Sequence, residues 1–172
     1  MKCWPLLRLR QTIRNHSENG EDAEKRKAAV RALWIEAFHD DEAYVDFFFH
    51  VFYRDHCTWT CEEDGQLLGA LQAFPWDTSG TAVYVCGVSV AEDLRGRGIG
   101  SRLMQAACDS LAGSGVRRVV LVPVGPHVVP WYQRLGFVVD AAAELPPFRV
   151  SGMSDTDFTE WQRSHVMVRC LP

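Results

Sequence analysis

The sequence predicts one mixed α/β domain over residues 1–172. Length is the first reason: 172 residues bury a sizeable core once and divide poorly into two domains. The second is the period of the apolar residues, which switches several times between helical and strand spacing. Composition is the third. Apolar residues at 47% against charged residues at 23% are the balance of a soluble globular protein, and no repeat, low-complexity tract or interdomain linker interrupts it.

Each element has its own signal. Residues 6–14, LLRLRQTIR, alternate as a first strand, which NHSENG closes. From Glu21 to Phe38 the spacing is helical, with Val30, Leu33, Trp34, Ala37 and Phe38 on one apolar face. HDDE at 39–42 ends that helix and supplies an N-cap and first-turn acids to the next. The next helix, AYVDFFFHVFY, is apolar nearly all round, so it packs deeply or lines an apolar pocket. CTWTCEE and QLLGALQAF flank Asp64-Gly65, a dipeptide suited to a tight hairpin. TAVYVCGVSV reads as a central strand in which Gly87 marks a bulge or a close backbone approach. Ile99, Leu103, Ala106, Ala107, Ser110 and Leu111 form a helix face that Gly113 or Gly115 ends. RRVVLVPV is a continuously apolar strand suited to burial on both faces. VPWYQRLGF is a short helix stopped by Gly136, with Pro130 suited to its start. FVVDAAA and HVMVRCL are two last strands, joined by the irregular ELPPFRVSGMSDTDFTEWQRS.

Charge and cysteine usage remove several classes. A net charge of −4 argues against a nucleic-acid binder, which needs cations to neutralise phosphates. No stretch approaches the length of a membrane span, and MKCWPLLRLRQ is too short in apolar residues for a signal peptide. The six cysteines are scattered and do not spell a secreted disulfide scaffold. Cys57 and Cys61 with His56 lack the second close pair of a zinc site, so buried thiols are the better reading and no metal is expected. The compartment these features favour is the cytoplasm.

One stretch carries chemistry. AEDLRGRGIGSRLM, residues 91–104, sets glycines and arginines immediately before a helix. Glycine lets backbone N–H groups approach a ligand, and a helix start adds unsatisfied donors at a positive dipole end. That suits a phosphate or pyrophosphate, although a surface turn capping a helix would look similar. A Walker A loop is excluded, because Gly100 is followed by Ser101-Arg102 and not by Lys-Ser/Thr. A dinucleotide fingerprint fits poorly: AEDLR separates the strand from Gly96, and RRVVLVPV stands where an acidic ribose partner belongs.

A third pattern fits. R-x-x-G-x-G is present as Arg95-Gly96-Arg97-Gly98-Ile99-Gly100 behind the strand end Val88-Ser89-Val90, and PWYQRLGF follows some thirty residues later. This pairing resembles the GNAT superfamily of acetyl-CoA-dependent N-acetyltransferases, most closely over residues 81–138. The resemblance implies a central mixed, mostly antiparallel sheet flanked by about four helices. It also implies acetyl-CoA as co-substrate, no metal, and a small-molecule or peptide amine as acceptor. Members often pair as dimers, so it allows a homodimer that no residue pattern of the chain itself specifies.

By the same resemblance, the backbone of Val88, Ser89 and Val90 would pair with the pantetheine amides, and Arg95, Gly96, Arg97, Gly98, Ile99, Gly100 and Ser101 would cradle the pyrophosphate. A backbone N–H near Val90 is a candidate oxyanion donor. Tyr132, four residues before Gly136, stands where the family commonly has its acid for the leaving thiolate; the alternative is that it only packs beside Trp131. Two positions depart from the pattern. Tyr84 stands where some members carry a glutamate, and Gly125 where many carry an asparagine. They leave open a water chain, His127 or Glu62 as base, and an alternative reading as a catalytically weak acyl-CoA-binding module. On the acceptor side, Asp40, Asp41 and Glu42 could attract an amine while Tyr44, Phe48, Phe52, Tyr53 and Trp76 wall it, but helix capping and core packing explain these residues better.

Overall fold

The computed structural model of the chain describes residues 12–15, 20–140, 142–143, 160 and 164–172. Residues 6–11 of the expected first strand, Cys3, and most of the 144–164 connection lie outside the described residues. The strands are β1 (Thr12–Asn15), β2 (Thr58–Glu63), β3 (Gln66–Pro75), β4 (Ala82–Val90), β5 (Arg118–Leu121), β6 (Val138–Val139) and β7 (Met167–Cys170). The helices are α1 (Glu21–Phe38), α2 (Glu42–Val51), α3 (Ile99–Gly113) and α4 (Val129–Arg134). The strands form one sheet in the order β1-β2-β3-β4-β5-β7-β6, in which only β4 and β5 run parallel among the described pairs.

The two faces of this sheet are read from alternation along the strands. Leu71, Ala73, Val83, Val85, Val119 and Leu121 pack with Ile99, Leu103, Met104, Ala107, Cys108 and Leu111 of α3. Ala70, Phe74, Tyr84, Val120 and Val168 pack on the opposite face with Val30, Leu33 and Trp34 of α1 and Val45, Phe48 and Phe49 of α2. The α3 stripe therefore differs from the expected one at one edge. Met104 and Cys108 are buried while Ser110 is exposed, because the apolar band follows the i, i+4 rows from Ile99 and leaves Ser110 on the solvent side. Asp41 caps α2 by accepting from the Ala43 and Tyr44 amides at 2.9 and 3.3 Å. The helix packs deeply through Val45, Phe48 and Phe49, and only Phe47 among its aromatic residues is strongly exposed. Asp64 and Gly65 both take positive φ, 50° and 79°, in the β2–β3 turn.

Gly87 carries both features that a glycine within a strand suggested. The β3–β4 register passes from Gln72 opposite Gly87 to Ala73 opposite Val85, so Cys86 is an extra residue without a partner. At Gly87 a Cβ would lie 2.4 Å from the Trp34 ring of α1, which only glycine permits. Among the described residues no helix is long and apolar enough to cross a membrane.

Burial also sets the alkaline limit of the fold. All four tyrosines, Tyr44, Tyr53, Tyr84 and Tyr132, have phenols pushed above their ordinary value, chiefly because burial disfavours the phenolate; Tyr44 reaches about 12. A folded-state pKa above the unfolded value of about 10 leaves stability intact below pH ~10 and removes it as pH rises beyond that. Titration upward from pH ~9 is therefore expected to show tyrosinate absorbance appearing together with loss of circular dichroism, in one cooperative step. Phenols ionising near pH ~10 in a still-folded protein would contradict this.

Candidate active site

The site is created where two parallel strands part. β4 and β5 pair from Ala82 opposite Arg118 to Tyr84 opposite Val120, and β5 ends at Leu121 while β4 runs on to Val90. Beyond Tyr84 the far edge of β4 thus has no neighbouring strand among the described residues. The direction of its polar groups follows from three bonds to β3: Cys86 Sγ donates to Gln72 O, Ser89 Oγ to Ala70 O, and Ala91 N to Leu68 O. Since Leu68, Ala70 and Gln72 turn their carbonyls to β4, alternation sets Ser89 towards β3, and Val88 and Val90 present N–H and C=O to the open edge.

The loop after β4 closes one end of this opening. A 3-10 turn at Glu92–Leu94 leads to Arg95, and Gly96 and Gly98 take φ of 77° and 79°, in the left-handed region that a side chain would strain. Gly98 is the N-cap of α3, so the first amides of that helix follow directly and no side-chain cap occupies them. The Arg95 guanidinium donates to Val90 O at 3.3 Å and to Ala37 O at 3.4 Å, fastening the loop to the end of β4 and to the C-terminal turn of α1. Glu36 adds to that joint by accepting the Glu92 amide at 3.2 Å.

Together these elements enclose a cleft of about 700 Å³. Of the residues expected to hold the co-substrate or to act as acid, Val88, Val90, Arg95, Gly96, Gly98, Ile99, Gly100 and Ser101 line it. Three do not. Ser89 is buried with its hydroxyl bonded to Ala70 O at 3.4 Å, and Arg97 is exposed with its guanidinium on Asp93 O at 3.3 Å. Tyr132 is half-buried behind Trp131, their ring centroids 4.5 Å apart, and packs edge-on to Phe137. Tyr84 is buried and held neutral, its phenol pushed up by desolvation.

The charge of the cleft is one-sided. Arg95, Arg134 and His127 line it and no described carboxylate does, so the space favours an anion. The acids proposed for an acceptor are committed elsewhere: Asp40 accepts from Trp34 Nε1 at 2.9 Å, Asp41 caps α2, and Glu42 pairs with Arg31 at 3.6 Å. Phe48 and Tyr53 are core, as helix capping and packing required. Glu62 lies on β2, accepting from the Thr60 hydroxyl at 3.0 Å.

The family model described as the acetyltransferase (GNAT) family matches residues 24–137, from within α1 through the end of α4 and on to Phe137. The chain belongs to the GNAT acetyltransferase family. A probable N-acetyltransferase, camello, of Xenopus laevis is 29% identical over 94 residues, which are 54% of this chain and 42% of that protein. The matched stretch is thus less than half of the curated relative. Among solved structures, the Escherichia coli GNAT family N-acetyltransferase YhbS in complex with CoA superposes with a TM-score of 0.68 at 24% identity, over 95% of this chain and 83% of the other. Tetrahymena GCN5 gives 0.66 at 12% identity, over 94% and 96%. N-acetylglutamate synthase of Neisseria gonorrhoeae, complexed with coenzyme A and N-acetyl-glutamate, gives 0.60 at 18% identity, over 94% of this chain and 35% of the synthase. At these identities the likeness is one of fold.

Within the GNAT frame, two residues that sequence reasoning did not assign to the site stand out. Trp131 and Arg134 of α4 line the cleft, and Trp131 Nε1 donates to Ser101 Oγ at 2.9 Å. The PWYQRLGF motif marked their helix but not which of its faces turns to the loop. At Gly125 a Cβ would lie 3.0 Å from the His127 ring, so the imidazole fills the space that a longer side chain at 125 would take. Among the described residues no group of histidine, cysteine, aspartate and glutamate side chains is placed to hold a metal ion.

Proposed function

We propose that the chain is an N-acetyltransferase that moves an acetyl group from acetyl-CoA to a primary amine of a small molecule or peptide. The observation carrying this reading is the joint placement, around one cleft, of the open β4 edge and the amide-rich turn from Gly96 to Ser101. The residues fit such a donor. Left-handed Gly96 and Gly98 and the uncapped α3 start offer N–H groups to a pyrophosphate, while Arg95 and Arg134 supply positive charge. Val88 and Val90 offer an alternating N–H and C=O edge, which matches the amides of a pantetheine arm.

When bound, acetyl-CoA supplies a thioester carbonyl open to direct attack by an amine. The amine nitrogen forms the new C–N bond, the C–S bond breaks, and the sulfur leaves as thiolate. Tyr132 is the residue we assign to donate to that sulfur. Burial raises its pKa, so the phenol stays protonated at every working pH. A phenol above pKa ~10 facing a thiol of ~8.5 does not give its proton away downhill, so it acts by hydrogen-bonding the developing thiolate. Tyr84 is kept neutral by desolvation and is no base, so the amine must shed its proton to solvent or to a group of its own. The described cysteines are free thiols, which supports a reducing, cytoplasmic setting.

Calorimetric titration with acetyl-CoA, with NADPH as control, tests the reading. Binding of acetyl-CoA alone, followed by amine-dependent release of free thiol, is the expected result. Binding without turnover over a broad amine panel would favour the acyl-CoA-binding module instead. No binding by a folded sample would remove the central claim.

A further inference from the structure

Ser101 is the third residue of α3 and lines the cleft next to the left-handed Gly98 turn. Its hydroxyl oxygen accepts a hydrogen bond from Trp131 Nε1 at 2.9 Å, across thirty residues of sequence. An indole N–H only donates, so this bond uses a lone pair of the serine and leaves its proton available. No acceptor for that proton is found among the described residues. The indole is held by more than this bond. Its ring meets that of Tyr132 at a tilt, with centroids 4.5 Å apart, and it lies so close over Gly100 that a Cβ there would stand 3.3 Å from Cζ2.

We infer that Trp131 is a positioning residue, which turns the Ser101 hydroxyl into a donor aimed at an anionic ligand of the cleft. A free serine hydroxyl rotates among three wells and, near a helix start, bonds to a backbone carbonyl of the preceding turn. Trp131 removes that choice by occupying the oxygen from the α4 side. Ser101 then joins the backbone amides of the Gly96–Gly100 turn as a side-chain donor to phosphate oxygen. The inference rests on the acetyl-CoA reading above, and its test is built to separate the two.

The test is a double-mutant cycle on CoA affinity, measured by calorimetry on the full chain. Trp131→Phe keeps the ring and removes only the N–H; Ser101→Ala removes the hydroxyl. Each is expected to weaken Kd for CoA about tenfold, the size of one charge-assisted bond, and the double variant by about the same factor as either alone. In steady state the loss is expected in KM for acetyl-CoA, not in kcat. The kcat/KM preference for acetyl-CoA over S-acetylpantetheine, which lacks the pyrophosphate, should fall by the same factor. Multiplicative losses in the double variant, or a fall in kcat with KM unchanged, would overturn the inference, since a packing role alone predicts them. Unchanged CoA affinity in Trp131→Phe beside a normally binding wild type would overturn it as well. A folded wild type that does not bind CoA would overturn both this inference and the functional reading. Matching thermal midpoints of variants and wild type establish that folded proteins are compared.

Discussion

Tyr132→Phe is expected to lower kcat about a hundredfold while Kd for acetyl-CoA changes less than about twofold. The substitution keeps the ring that packs at a tilt on Trp131 and meets Phe137 edge-on, and removes one oxygen. Packing and donor binding therefore persist, and only stabilisation of the leaving sulfur is lost. Desolvation makes that loss large, because a hydrogen bond given by a phenol shielded from water is stronger than the same bond in water. Steady-state kinetics beside calorimetry checks this. A kcat within about tenfold of wild type would reduce Tyr132 to a packing residue.

Gly87→Ala is expected to cost about 3 kcal/mol, the upper part of the range for forced overpacking. The new methyl carbon would sit 2.4 Å from Trp34 Cζ3 and 2.9 Å from Cη2. Trp34 has nowhere to withdraw. Its ring stacks on Phe48 at 4.8 Å, meets Phe38 and Phe49 edge-on, and its Nε1 is fixed to Asp40 at 2.9 Å. The strain must move into β4 or α1, both of which border the site. For a chain of this size a loss of ~3 kcal/mol corresponds to a fall in Tm of roughly 6–12 °C. Differential scanning calorimetry decides it, with Gly113→Ala as comparison, where a Cβ would meet nothing within 4 Å. Equal midpoints for the two variants would mean that the ring yields and that the close approach has no energetic weight.

The sequence made the fold legible where a local rule governs. Alternation, helical spacing and the Asp64-Gly65 turn placed α1, α2, α3 and the β2–β3 hairpin within a residue or two of their ends. Gly87 stood out because glycine in a strand needs a reason, and it had two: an unpartnered neighbour and a facing indole. The limits were equally physical. Ser110 and Met104 differ only in which side of one helical stripe they occupy, and the packing of α3 on the sheet settles that. Ser89 sits between two residues that face the opening, but strand parity turns its backbone to β3. Arg95 was legible as a cation, not as a fastener between two carbonyls, because its partners on β4 and α1 are remote or irregular in sequence. The Trp131–Ser101 bond joins two motifs that the sequence supplied separately, and nothing short of the fold brings them within reach.

The extra residue at Cys86 has a consequence for how this chain can vary. It works as a half-step in a two-step rhythm: before it, β4 keeps one phase against β3, and after it the other. Loss of Cys86 would close the bulge and keep every pair on either side of it, whereas loss of a paired residue after it would turn each later residue to the other face and the other edge. Substitution in this strand is thus a graded change, whereas insertion or deletion of a paired residue is a switch. The length of β4 is as much a part of the site as any side chain in it.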